Sequence, residues 1–168
     1  MMAKRLNGAI VGFLATLPMT AIMELVYRLL PSEEQYPLPP EEVETQLIEQ
    51  NVLKRDLDTS EHMVVTYATH LGYGTLAGFA YSYLDTLLPL RPGAKGVLFG
   101  LGVWAGSYLG WLPAFGILKP VTQHPLRRTL LMIVAHIIWG LTAGLLLEHL
   151  EQAEHLWGSD IVSEQVSP

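Results

Sequence analysis

The stretch "TLLMIVAHIIWGLTAGLLL", residues 129–147, decides how this chain is read. It carries no Asp, Glu, Lys or Arg, and about 20 apolar helical residues are enough to cross a bilayer core. One ionisable ring, His136, sits within it. Three more runs lack those four charged residues: Leu6–Met23, His62–Leu84 and Gly96–Leu118. Half of the 168 residues are hydrophobic and 15% are charged, against about 25% in a typical soluble domain. These features predict an all-α integral membrane four-helix bundle with spans at about 6–30, 62–87, 95–118 and 128–150. The lipid bilayer is its first partner.

The segment "MMAKR" resembles the basic start of a signal peptide. The apolar run after it is long and reaches "MELVYRLL" without a small-x-small cleavage site, so it reads as a retained first helix. The chain has no cysteine, which excludes a disulfide framework and thiolate metal sites. The net charge of −6 argues against nucleic acid. Nine of the 16 acidic residues lie between Glu33 and Glu61 and five lie from Glu148 onward, so the acidity belongs to a 31–61 loop and a 151–168 polar tail. Within the loop, Pro39 and Pro40 followed by Glu41 and Glu42 predict a short helix over about 40–54. Lysines and arginines occur at both ends of the spans, which leaves orientation open.

Small or polar residues recur every four positions in each span. They are Gly8, Gly12, Thr16 and Thr20; then Thr66, His70, Gly74, Gly78 and Ser82; then Gly102, Gly106 and Gly110; then His136, Gly140, Gly144 and Glu148. Lipid supplies little hydrophobic force between helices, so small-xxx-small stripes that let backbones approach are how such bundles pack. A homodimer through one glycine stripe is the alternative use.

Depth arithmetic gives His136 companions. Successive spans run in opposite directions, and the rise is about 1.5 Å per residue. Glu24, His70 and His136 then fall about 10 Å below the same membrane face, level with Trp111 and close to Ser107 and Tyr108. Ionisable groups at such depth face the bundle interior and pair. Four uses compete for this layer. Glu24 can accept hydrogen bonds from the histidines, Tyr73 or Trp139 and fasten the bundle. The layer can be a pH-responsive permeation or binding site, with His124 and the acidic loop at its mouth. His70, His136 and Glu24 can hold a divalent metal, although no H-x-x-x-H or E-x-x-H spacing marks one. Finally, His70 and His136 can ligate a haem b. No cofactor is expected in the first two uses, and no nucleophile elbow or phosphate loop argues for an enzyme. Pro18 and Pro113 place breaks near the same layer.

"HLGYGTLAGFAYSYL" (70–84), "KGVLFGLGVW" (95–104), "LGWLPAFGILKP" (109–120) and "AHIIWG" (135–140) resemble the YagU-like group of small bacterial inner-membrane proteins. His70, His136 and Trp139 are the positions that match. The third span lacks a histidine carried by some relatives. The resemblance implies a multi-pass protein of the bacterial inner membrane and no established reaction.

Overall fold

The computed structural model describes residues 2–35, 37–49 and 59–166. Its architecture is all-α. Helix α1 (Met2–Leu29) leads through a 3-10 turn at Ser32–Glu34 to α2 (Pro39–Glu49). Helix α3 (Thr59–Leu84) ends in a 3-10 turn at Asp85–Leu87. Helix α4 (Pro92–Ala105) passes through a π-helical segment, Gly106–Trp111, into a last turn α5 (Leu112–Ala114). After a 3-10 turn at Val121–Gln123, α6 runs from Leu126 to Val166.

Three stretches, Met2–Leu29, Pro92–Ala114 and Leu126–Glu154, are long and apolar enough to cross a membrane. With 26 residues, α3 is long enough, but its Thr, Tyr, His and Gly content lowers its hydropathy. Large apolar side chains such as Leu17, Leu76, Leu98, Leu109 and Val134 stand exposed on the outside of the bundle, as a lipid-facing surface requires.

The described helices depart from the expected bounds at identifiable places. The third span is broken at Gly110, which leaves helical geometry (φ −110°, ψ −108°), and stops at Ala114 rather than 118, where Gly116 reverses the chain at φ 68°. Amides of Ile117 and Leu118 close this end on the Leu112 carbonyl. Pro18 lies within an unbroken α1. The fourth helix continues through the expected 151–168 tail as far as Val166. Of the short helix expected over 40–54, residues 39–49 are helical and the rest lies outside the described residues.

Close packing follows glycines. α1 lies along α3 where Gly8 and Gly12 meet Gly74 and Gly78; a Cβ on Gly12 would stand 2.7 Å from the Gly78 Cα. α4 lies along α6 where Gly96 and Gly100 meet Gly140 and Gly144. The expected stripe Gly102, Gly106 and Gly110 does none of this: a Cβ at any of the three meets nothing within 4 Å. It faces outward, because Gly96, Gly100, Val103 and Ser107 form the inner face of the same helix. α1 also packs on α6, over a core of Val11, Ala15, Met19, Met23, Met132, Ala135, Trp139 and Ala143. Beside the broad α1–α3, α1–α6 and α4–α6 contacts, the flank between α3 and α4 is thin.

At the end where α1 starts, one ion-pair network joins α1, α4 and α6 to the turn that follows α3. Lys4 Nζ lies 2.9 Å from Asp85 Oδ2 and 2.7 Å from Glu151 Oε1. Lys95 Nζ lies 3.1 Å from Asp85 Oδ1 and donates to the Asp85 carbonyl at 2.9 Å. Asn7 donates to Glu154 at 2.8 Å.

Candidate functional site

At the opposite end the helices spread around a cavity of about 220 Å³. Its wall is predominantly apolar and draws on every long helix. Thr16, Met19 and Met23 come from α1; His70, Tyr73, Gly74 and Ala77 from α3; Val103, Ser107, Tyr108 and Trp111 from α4 and the π segment; His136 and Trp139 from α6. Pro39, Pro40 and Val43 of α2 cover one side, and the Arg128–Glu42 ion pair ties α2 to α6 there.

Five of the six residues singled out from the sequence line this cavity: His70, Tyr73, Trp111, His136 and Trp139. Glu24 does not. It lines a second cavity of about 420 Å³ beneath α2, together with Glu41, His62, Thr66 and His70. His70, Met23 and Pro40 belong to both walls. Helix rotation accounts for the difference: Met19 and Met23 face inward, and Glu24 is turned one step aside toward α2 and α3.

The hydrogen bonds run along routes that depth alone does not indicate. His136 Nδ1 pairs with the Met132 carbonyl at 2.8 Å, one helical turn back. His70 Nδ1 pairs with Thr20 Oγ1 at 3.3 Å. Trp139 Nε1 donates to Thr16 Oγ1 at 3.1 Å and to the Gly12 carbonyl at 3.3 Å. That bond anchors α6 on α1 at the point where glycine exposes the backbone. Tyr73 and Ser107 hydroxyls lie 2.9 Å apart and bridge the thin α3–α4 flank, where Tyr73 also meets the Trp111 ring at 6.2 Å. Tyr108 meets the His136 ring edge-on at 6.0 Å. His124, expected at the mouth, donates from Nε2 to the Lys119 carbonyl at 3.1 Å. Burial, helped by the Arg128 guanidinium, holds its pKa below 6.5.

The cofactor expectations fare as follows. Among the described residues no three His, Asp or Glu side chains come together as a metal site, so Glu24 does not complete a triad with the two histidines. A volume near 220 Å³ is below the roughly 300–1,000 Å³ of pockets for drug-sized molecules. The cavity suits a small molecule whose surface is mostly apolar.

No curated protein and no solved structure matches the chain. A family described as "Protein of unknown function (DUF1440)" matches residues 9–145, which runs from within α1 to about the middle of α6 and takes in every residue of the cavity wall. The chain is a small membrane protein and belongs to this DUF1440 family.

Proposed function

We propose that this chain is a non-enzymatic protein of a bacterial inner membrane, akin to the YagU-like group. In this reading it holds a small, mainly apolar molecule within the bilayer and releases it when its buried imidazoles take up protons. The observation that carries this reading is the cavity itself, walled by all four long helices and lined by both His70 and His136. Ionisable residues at membrane depth are expensive and are retained where they act. Imidazole is the side chain whose ordinary titration lies nearest neutrality.

The wall supports binding of a mainly apolar molecule better than passage of ions, since no carboxylate or cation lines it. Small-xxx-small packing on both helix pairs would keep the frame rigid while the ligand side stays open. The thin α3–α4 flank, bridged by Tyr73 and Ser107, offers a molecule dissolved in the bilayer a way in. Protonation of either ring would place a charge against Met, Trp and Tyr side chains, which costs several kcal/mol on the order of other buried charges. The titratable groups that share the main cavity with the two rings are Tyr73 and Tyr108, beside each ring's own partner histidine, while Glu24, Glu41, His62 and Tyr67 share the second cavity with His70. None of them carries a negative charge inside the main cavity.

Toluene tests this reading. In detergent at pH 8 it should raise the melting temperature of the wild type, because a ligand that binds only the folded state stabilises it by mass action. The rise should persist at pH 5, where the cost of a buried charge keeps both rings neutral, and shrink only at lower pH. In Ala77→Phe, which fills the cavity, it should be lost at both pH values. Equal shifts in wild type and Ala77→Phe would contradict the reading.

A further inference from the structure

The hydrogen bonds of the two histidines fix where each neutral ring carries its proton. A carbonyl oxygen can only accept, so the 2.8 Å contact with Met132 puts the His136 proton on Nδ1. The Thr20 hydroxyl has one hydrogen, and it is donated to the Thr16 carbonyl at 2.8 Å. Its 3.3 Å contact with His70 Nδ1 is therefore a bond donated by the ring. Both neutral imidazoles are left with a lone pair on Nε2, and neither Nε2 has a hydrogen-bond partner among the described residues.

The other polar groups on the wall divide in two. The Trp139 N–H is committed to Thr16 and Gly12, and Tyr73 and Ser107 satisfy each other. Tyr108, which also lines the cavity, forms no hydrogen bond through its hydroxyl with a described residue. The residues of this apolar wall thus carry two imidazole nitrogen acceptors and one phenolic hydroxyl that no described residue engages. A hydroxyl is the smallest uncharged organic group that both gives a hydrogen to an imidazole and receives one from a phenol.

We infer that the site recognises a small uncharged molecule built of an apolar ring-sized body and a hydroxyl group, a phenol-like compound. The hydroxyl donates to Nε2 of His70 or His136, and the body lies against Trp139, Trp111 and Met19. This assignment rests on the ligand-binding reading above and adds the chemistry of the ligand.

Phenol, anisole and toluene separate the two claims, because they share a ring and differ in donor capacity. Binding to the purified protein in detergent at pH 8 is measured against free ligand concentration. Phenol should bind at least about tenfold more tightly than anisole, the order expected of one buried hydrogen bond. In His70→Phe and His136→Phe that advantage should fall for at least one variant while anisole binding persists, which also shows that the variant has folded. The phenol-to-anisole ratio on the wild type stands by itself if neither variant folds. Equal affinity for phenol and anisole would overturn hydroxyl recognition and leave the cavity reading intact. Failure of all three to bind would overturn both.

Discussion

Gly140→Ala should lower the melting temperature in detergent, by about 6–12 °C for a loss of about 3 kcal/mol. A Cβ at position 140 would overlap the Gly96 carbonyl oxygen and stand 2.7 Å from its carbon and 3.1 Å from the Val97 nitrogen. All three obstructing atoms are backbone, so no rotamer change relieves the clash. The helices must separate, and in lipid they have little besides van der Waals contact to hold them. The control is Gly102→Ala on the same pair of helices. A Cβ there meets nothing within 4 Å, and alanine is favoured over glycine in a helix by about 0.5–1 kcal/mol. That variant should melt slightly higher than wild type. If both variants behaved alike, glycine contact would not be what joins α4 to α6.

The second large effect is expected at the other end of the bundle. Asp85→Asn should cost about 1.5–3 kcal/mol, the range for hydrogen bonds to charged groups. The lower part of that range applies because both lysines reach water, their side chains being 26% and 15% exposed. Asparagine keeps the shape but removes the charge that Lys4 and Lys95 share. Lys4 retains Glu151, so the loss falls mainly on Lys95 and on the turn that connects α3 to α4. Burial alone would raise the Asp85 pKa, but bonds from Lys4 and Lys95 outweigh it and hold the carboxyl below 3.8. A folded-state pKa below the unfolded value gives stability that is complete above about pH 4. It is lost as the pH falls through the folded value. The wild type should therefore lose melting temperature steeply below pH 4, and Asp85→Asn should lack that component. Parallel pH profiles for the two proteins would show that the ion pairs add nothing.

These two sites also mark how far sequence reasoning reached. Charge-free runs and their spacing were enough for the helices and their antiparallel order, because in a membrane span composition and length dominate. Depth was equally legible, since rise per residue is nearly constant. Rotation about each helix axis was not. In α4 two glycine series compete, and spacing does not say which faces inward; Ser107, in line with Gly96, Gly100 and Val103, was the polar mark that pointed to the inner face. The same uncertainty separated Glu24 from His136, because a residue at the right level can still face a different neighbour. The Lys4–Asp85–Lys95–Glu151 network was within reach of the depth argument had it been applied to the opposite face. Asp85 is the sole acid between α3 and α4, and both lysines fall at its level. The hydrogen bonds from the two histidines to Met132 and Thr20 depend on ring orientation, which no spacing rule encodes.

The central claim is that His70 and His136 face one shared cavity that admits a small molecule inside the bilayer. Solid-state NMR on histidine-labelled protein in lipid bilayers, with isotope-labelled toluene added, tests it most directly. The account expects through-space contacts from the toluene ring to both His70 and His136, and their disappearance in Ala77→Phe. Contacts confined to other histidines, or contacts that survive unchanged in Ala77→Phe, would contradict it.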